Sequence, residues 1–281
     1  MKLNGLDFHV EIAGTSGGAP LLLLHGFTGS VRTWDDLRSA LGSHCPVIAI
    51  DLIGHGQSAC PPDPARYSLD WATRDLLALL DALDLESVDL CGYSMGGRVA
   101  LHFAVNAPRR VRALVLESAS AGIEDTLERQ NRAEADNALA DRIQRDGVAA
   151  FVSEWEAQPL LALAPHVSAA ARERQRELRL RNNSLGLANS LRGMGAGQQT
   201  PLWSRLDALK VVPTQLIVGA LDARYCAVGQ RLHTLLPRSE LEVVSQAGHT
   251  VHLDQPAAFG QVVKKLTQPD ARCYIGSERL F

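Results

Sequence analysis

Short, almost unbroken apolar runs alternate with amphipathic stretches along most of this chain, and few folds accommodate that alternation. The runs are Leu21–Leu24, Pro46–Asp51, Val88–Gly92, Arg112–Glu117, Thr214–Gly219 and Leu241–Val244. A strand that is apolar at nearly every position, not every second one, is covered on both faces. Between the runs, Trp34–Leu41, Leu69–Leu83, Gly97–Asn106, Gly229–Leu236 and Ala257–Leu266 have helical character. Such strands alternating with helices predict an α/β chain: a mostly parallel sheet with helices on both faces. Ahead of them, the chain opens on two short strand-like segments with the turn Gly14–Pro20 between them.

From about Ala119 to Trp203 the alternation stops, and the sequence favours helix, rich in Ala, Arg, Glu and Gln. The strand–helix pattern then resumes. Residues 119–203 are therefore expected to form a helical cap inserted in a core made of 1–118 and 204–281. The polar tail after Leu266 is assigned no role. A length of 281 residues suits one α/β domain with an insertion. The net charge of −3, with Lys and Arg scattered, argues against a nucleic-acid or anionic-membrane partner. The five cysteines, Cys45, Cys60, Cys91, Cys226 and Cys273, form no C-x-x-C pair and read as free thiols. No metal site is expected from them. The first residues lack the apolar core of a signal peptide, and no apolar run reaches the roughly 18 residues of a membrane span. A cytoplasmic location is the expectation.

Gly92-Tyr93-Ser94-Met95-Gly96 matches G-x-S-x-G between a buried strand and a helix. Flanking glycines permit a sharp turn that lifts the serine hydroxyl above the sheet. A hydroxyl becomes reactive only when a histidine takes its proton and an acid orients that histidine. In this kind of fold the acid and then the histidine follow the serine along the chain. Asp222 stands just beyond the strand Thr214–Gly219, and His249 just beyond the last strand. Competing readings are Glu117 as the acid, His252 as the base, and Asp222 as a mere helix cap. The loop His25-Gly26-Phe27-Thr28-Gly29 offers the Phe27 amide, with that of Met95, as an oxyanion hole. His25 itself has no partner at metal-ligand spacing and reads as a loop brace.

These motifs, with Asp51–Ser58 and Gly248–Pro256, resemble the α/β-hydrolase superfamily, whose members include esterases, C–C hydrolases, peroxidases and lyases. Segments in the insertion narrow the resemblance. Ser94-Met95-Gly96-Gly97-Arg98, Glu128-Arg129-Gln130, Phe151-Val152 with Trp155 and Gln158-Pro159-Leu160 are similar to one group. So are Leu178-Arg179-Leu180 with Asn182-Asn183, and Leu191-Arg192-Gly193-Met194-Gly195. The group is the 2-succinyl-6-hydroxy-2,4-cyclohexadiene-1-carboxylate synthases of menaquinone biosynthesis. The resemblance implies a cofactor-free lyase that removes a proton beside a ketone and expels pyruvate from a cyclohexene tricarboxylate. It implies substrate contacts at Tyr93, Arg98, Arg129, Trp155 and Arg179, with Arg176 and Arg181 as alternatives in register to Arg179. Arg132 and Arg192 are further arginines whose role the pattern leaves open.

Guanidinium forks suit a substrate with three carboxylates, since each grips a carboxylate through two parallel hydrogen bonds. Against this, the insertion holds about as many acids as arginines, and most helix arginines are solvated or paired. Two other readings use the same fold. A carboxylesterase or C–C hydrolase would work through an acyl-serine and has no need of the arginines. A non-catalytic ligand-binding protein would have no need of Ser94, Asp222 and His249.

Overall fold

A computed structural model of the chain describes residues 1–14, 19–42 and 46–267. Cys45, Cys273, the polar tail and most of the Gly14–Pro20 turn lie outside the described residues. The opening segment is a small antiparallel pair, β1 (Lys2–Leu3) and β2 (Leu6–Asp7), followed by β3 (Val10–Ala13). All three strands precede the Gly14–Pro20 turn that was expected to separate two opening segments. Asn4 (φ 48°) and Gly5 (φ 86°) turn the chain back on itself between β1 and β2.

The remaining strands are β4 (Leu21–Leu24), β5 (Val47–Ile50), β6 (Val88–Tyr93), β7 (Val111–Glu117), β8 (Thr214–Gly219) and β9 (Ser239–Val244). With β3 they form a seven-stranded sheet in the order β3-β5-β4-β6-β7-β8-β9. Only β3 runs antiparallel, against β5. The helices of this core are α1 (Asp35–Leu41), α2 (Leu69–Ala82) and α3 (Met95–Asn106), then α7 (Ala223–Leu235), α8 (Val251–Asp254) and α9 (Pro256–Thr267).

Successive strand residues supply opposite faces, as the pleat requires. Leu22, Leu24, Leu90, Leu114 and Leu116 pack with Leu76, Val99 and Phe103 of α2 and α3. Leu21, Leu23, Cys91, Ala113 and Val115 pack with Leu37 of α1, Phe259 of α9 and Trp34. Truncating any of these leucines to alanine is worth about 2–5 kcal/mol. This two-sided burial holds the strand ends still, and the chemistry sits on those ends.

Between β7 and β8 lie α4 (Thr126–Glu156), α5 (Ala169–Leu180) and α6 (Ser184–Met194), with no strand among the described residues. Asp125 caps α4 by accepting the Glu128 N–H, and Gly147 (φ 84°, ψ 168°) breaks it into two helical pieces. Ala140, Ile143, Phe151, Val152, Leu187, Ala188 and Leu191 form a separate apolar cluster, with Phe27 of the core packed against it. Helix α7 begins at Ala223 rather than Gly229, because Asp222 accepts the Tyr225 N–H and starts the helix earlier. No helix among the described residues is long and apolar enough to cross a membrane.

Candidate active site

Ser94 occupies the turn between β6 and α3 with φ 51° and ψ −109°, a conformation that side-chain-bearing residues rarely adopt. The turn is possible because glycine stands two positions away on either side. A Cβ on Gly92 would strike the Gly96 carbonyl, and a Cβ on Gly96 would strike that of Leu24. Ser94 N–H donates to the Glu117 carbonyl across the strand end (2.8 Å), so the hydroxyl projects above the sheet rim.

Three side chains from three strand ends meet there. Ser94 Oγ lies 3.0 Å from His249 Nε2, and His249 Nδ1 lies 2.8 Å from Asp222 Oδ2. With Nδ1–H donating to the carboxylate, Nε2 keeps a lone pair for the serine proton. His249 and Asp222 are both nearly buried, which shields their hydrogen bond from water. Asp222 also caps α7 through its other oxygen, so capping and orienting histidine are done by one side chain. Glu117 is fully buried and holds His252, not His249: Nδ1 of His252 is 2.9 Å from both carboxylate oxygens.

The Phe27 loop follows β4 and is tightened by a Gly29 N–H to Gly26 carbonyl bond (3.0 Å). His25 braces it. Its Nδ1–H donates to the Gly26 carbonyl (2.8 Å) and its Nε2 accepts the Leu52 N–H (3.0 Å). Burial pulls its pKa down to about 4, which matches this neutral form. Ser94 makes no side-chain cap on α3, so its hydroxyl does not take up the first-turn amides there, Met95 among them.

A cavity of about 430 Å³ opens over Ser94 and His249, bounded by Phe27 and Met95 below and by the insertion helices above. Trp155 forms one wall, edge-on to Phe27 (5.4 Å between ring centroids). Four guanidiniums line it, from Arg98, Arg132, Arg142 and Arg224, against the two carboxylates of Asp136 and Glu154. Arg98 donates to the Met194 carbonyl (2.8 Å) and makes no ion pair among the described residues. Desolvation pulls its pKa down to about 10, with Arg132 adding to that and Tyr225 and Asp136 opposing it. A bound anion would relieve that penalty.

Not every expected contact faces this cavity. Arg129 is turned away from it: as the first turn of α4 directs side chains backward, its guanidinium binds the Ile123 and Glu124 carbonyls (2.9 and 3.1 Å). Arg132, one turn later, lines the wall, with Nε held by the buried Asp136 (2.8 Å). Arg179 is nearly buried and, with Arg176, grips Glu156 (2.9 and 2.8 Å) beside a second cavity. Arg192 pairs with Asp141, and Arg181 borders a surface groove with Glu177. Tyr93 lies behind the histidines, its hydroxyl paired with Thr250 Oγ1 (2.9 Å). Sequence reasoning overlooked Arg142, Arg224 and Tyr225. The last two follow Asp222 so closely that the acid's own position could have signalled them.

Residues 19–256 match the model of the alpha/beta hydrolase fold family. A Bacillus subtilis (strain 168) protein assigned as 2-succinyl-6-hydroxy-2,4-cyclohexadiene-1-carboxylate synthase is 45% identical over 93% of this chain and 95% of its own. The synthase of that name from Klebsiella pneumoniae (strain 342) is 35% identical, covering 87% of this chain and 92% of its own. Among solved structures, MenH from S. aureus superposes with a TM-score of 0.86 at 32% identity, over 92% of this chain and 96% of that one.

Proposed function

Because the chain belongs to the α/β-hydrolase fold family and, within it, to the 2-succinyl-6-hydroxy-2,4-cyclohexadiene-1-carboxylate synthases, we infer that it is a carbon–oxygen lyase of menaquinone biosynthesis. Its substrate is 2-succinyl-5-enolpyruvyl-6-hydroxy-3-cyclohexene-1-carboxylate. The observation that carries the reading to this chain is the cavity wall: four guanidiniums against two carboxylates directly over a serine–histidine–aspartate relay. A neutral ester would leave that positive surplus unmatched.

His249 takes the Ser94 hydroxyl proton, and the serine oxygen takes the proton on the carbon alpha to the succinyl ketone. The resulting enolate oxygen sits at the amides of Phe27 and Met95, where preorganised donors stabilise developing charge. Collapse of the enolate breaks the ring C–O bond, and the departing enolpyruvyl group is protonated to pyruvate. Asp222 keeps His249 in the Nδ1–H tautomer and stabilises the imidazolium. Arg98 and Arg132 hold substrate carboxylates, Arg132 taking the place sequence had given to Arg129, and Trp155 covers the ring. Residues 119–203 act as a cap over the core of 1–118 and 204–281. The same reading puts the enzyme in the cytoplasm.

Incubation with the enolpyruvyl-cyclohexene substrate, with pyruvate read by a coupled dehydrogenase, tests the assignment. Pyruvate release that depends on Ser94 is expected. Its absence, with hydrolysis of simple esters instead, would move the chain to the hydrolases.

A further inference from the structure

The relay leaves one buried ionisable pair unused, and it sits directly behind the nucleophile. Glu117 ends β7 in register with Tyr93 of β6, with no solvent exposure. Its backbone carbonyl accepts the Ser94 N–H (2.8 Å). Its carboxylate accepts the His252 backbone N–H (3.0 Å) and the His252 Nδ1–H (2.9 Å). One residue therefore grips the serine's turn with its main chain and the segment after His249 with its side chain.

The partner is equally constrained. His252 stands among the rings of Trp34, Tyr93 and Phe259 at centroid distances of 5.1, 4.7 and 5.9 Å. Its Nε2 is buried and makes no hydrogen bond. The neutral Nδ1–H tautomer leaves only a lone pair unmatched there, whereas the other forms would strand an N–H among aromatic rings. Tyr93 adds a strut through its hydroxyl to Thr250 Oγ1 (2.9 Å), and Asp254 Oδ2 accepts the Gly248 N–H (2.7 Å). The whole stretch around His249 is thus tied down, with the Glu117 carboxylate as its link to the serine.

We propose that Glu117 and His252 are positioning residues that lock the His249 segment to the Ser94 turn and so set the Oγ–Nε2 separation. Neither touches substrate. A reacting pair misplaced by about 1 Å loses on the order of a hundredfold in rate, so the link acts on turnover, not on affinity.

The test rests on the proposed function only for turnover, so a substrate-independent readout accompanies it: the rate at which phenylmethylsulfonyl fluoride modifies Ser94. Glu117→Gln is expected to slow both modification and kcat by about ten- to hundredfold with KM unchanged. His252→Leu should do the same, while His252→Asn, whose amide can replace Nδ1–H, should stay within about threefold of wild type. Leu80→Ala, a buried change in α2 away from the site, serves as the control for lost stability, with rates normalised to the native fraction. The proposal is overturned if Glu117→Gln modifies at the wild-type rate, if it falls no further than Leu80→Ala, or if His252→Leu and His252→Asn behave alike. Failure of wild-type enzyme to release pyruvate would overturn the lyase reading and leave the modification series intact.

Discussion

The sheet rim and the helical insertion both carry charged side chains, yet they hold them in opposite ways. At the rim, Asp222, His249, Glu117 and His252 are nearly buried, and each is fixed by partners from distant strand ends. In the insertion, Arg132 pairs with Asp136 within one helix, and Arg176 and Arg179 share a single Glu156. Arg132 and Arg176 are each partly exposed, and Arg192 pairs with the exposed Asp141. The difference separates two jobs. A relay must keep sub-ångström geometry through turnover, whereas guanidiniums that meet a carboxylate substrate can be held by carboxylates of the protein in its absence.

Substitutions at the rim should therefore strike kcat and those in the insertion KM. The largest effect is expected from Asp222→Asn, about 10⁴-fold in kcat with little change in KM, because His249 would lose its tautomer. Steady-state kinetics check this. A comparable loss in Glu117→Gln with a mild Asp222→Asn would exchange their roles. Next, Arg132→Ala in the insertion, and Arg98→Ala on α3, whose guanidinium reaches the insertion at the Met194 carbonyl, should each weaken substrate binding about ten- to hundredfold, the value of a charge-assisted hydrogen bond of roughly 1.5–3 kcal/mol. Arg129→Ala, whose guanidinium serves the Ile123 and Glu124 carbonyls and the Thr126 hydroxyl, should stay within about threefold. If Arg129→Ala raised KM more than Arg132→Ala, the orientation of the first turn of α4 described above would be contradicted.

That pair shows where sequence stops being legible. The ends of β6 and β8 could be read because burial on both faces leaves an unbroken apolar run, with Ser94 and Asp222 just beyond, whereas His249 follows β9, an edge strand on which Glu240, Glu242 and Val243 are exposed. Ser94 carries a further signal, since only glycine fits at positions 92 and 96. The arginines offer no such signal. Arg129 and Arg132 are three residues apart on one helix face, and which of them reaches the cavity depends on loop carbonyls at Ile123 and Glu124. Arg224 was hidden because α7 starts where Asp222 caps it, ahead of its expected beginning. The Glu117–His252 pair was visible only as competing candidates, because sequence cannot say which acid finds which histidine.

The remaining prediction concerns stability against pH, not turnover. Burial depresses His25 to about 4 and, with the neighbouring His25 adding to it, His55 to about 3, from 6.5 in the unfolded chain. The unfolded state then binds more protons between those values. Stability is complete above about pH 6.5 and declines as pH falls toward 4, by about 2 kcal/mol apiece at pH 5. Thermal unfolding between pH 7 and 5 should show this decline, and His55→Gln should flatten it. An unchanged slope in that variant would mean that the loss arises elsewhere.

The central claim is that Ser94 removes a proton and is never acylated. Mass spectrometry of enzyme quenched during turnover of the enolpyruvyl-cyclohexene substrate reads this directly. The account expects unmodified Ser94 at every time point while pyruvate accumulates. An adduct on Ser94 that forms and decays at the turnover rate would contradict it and make the enzyme a hydrolase.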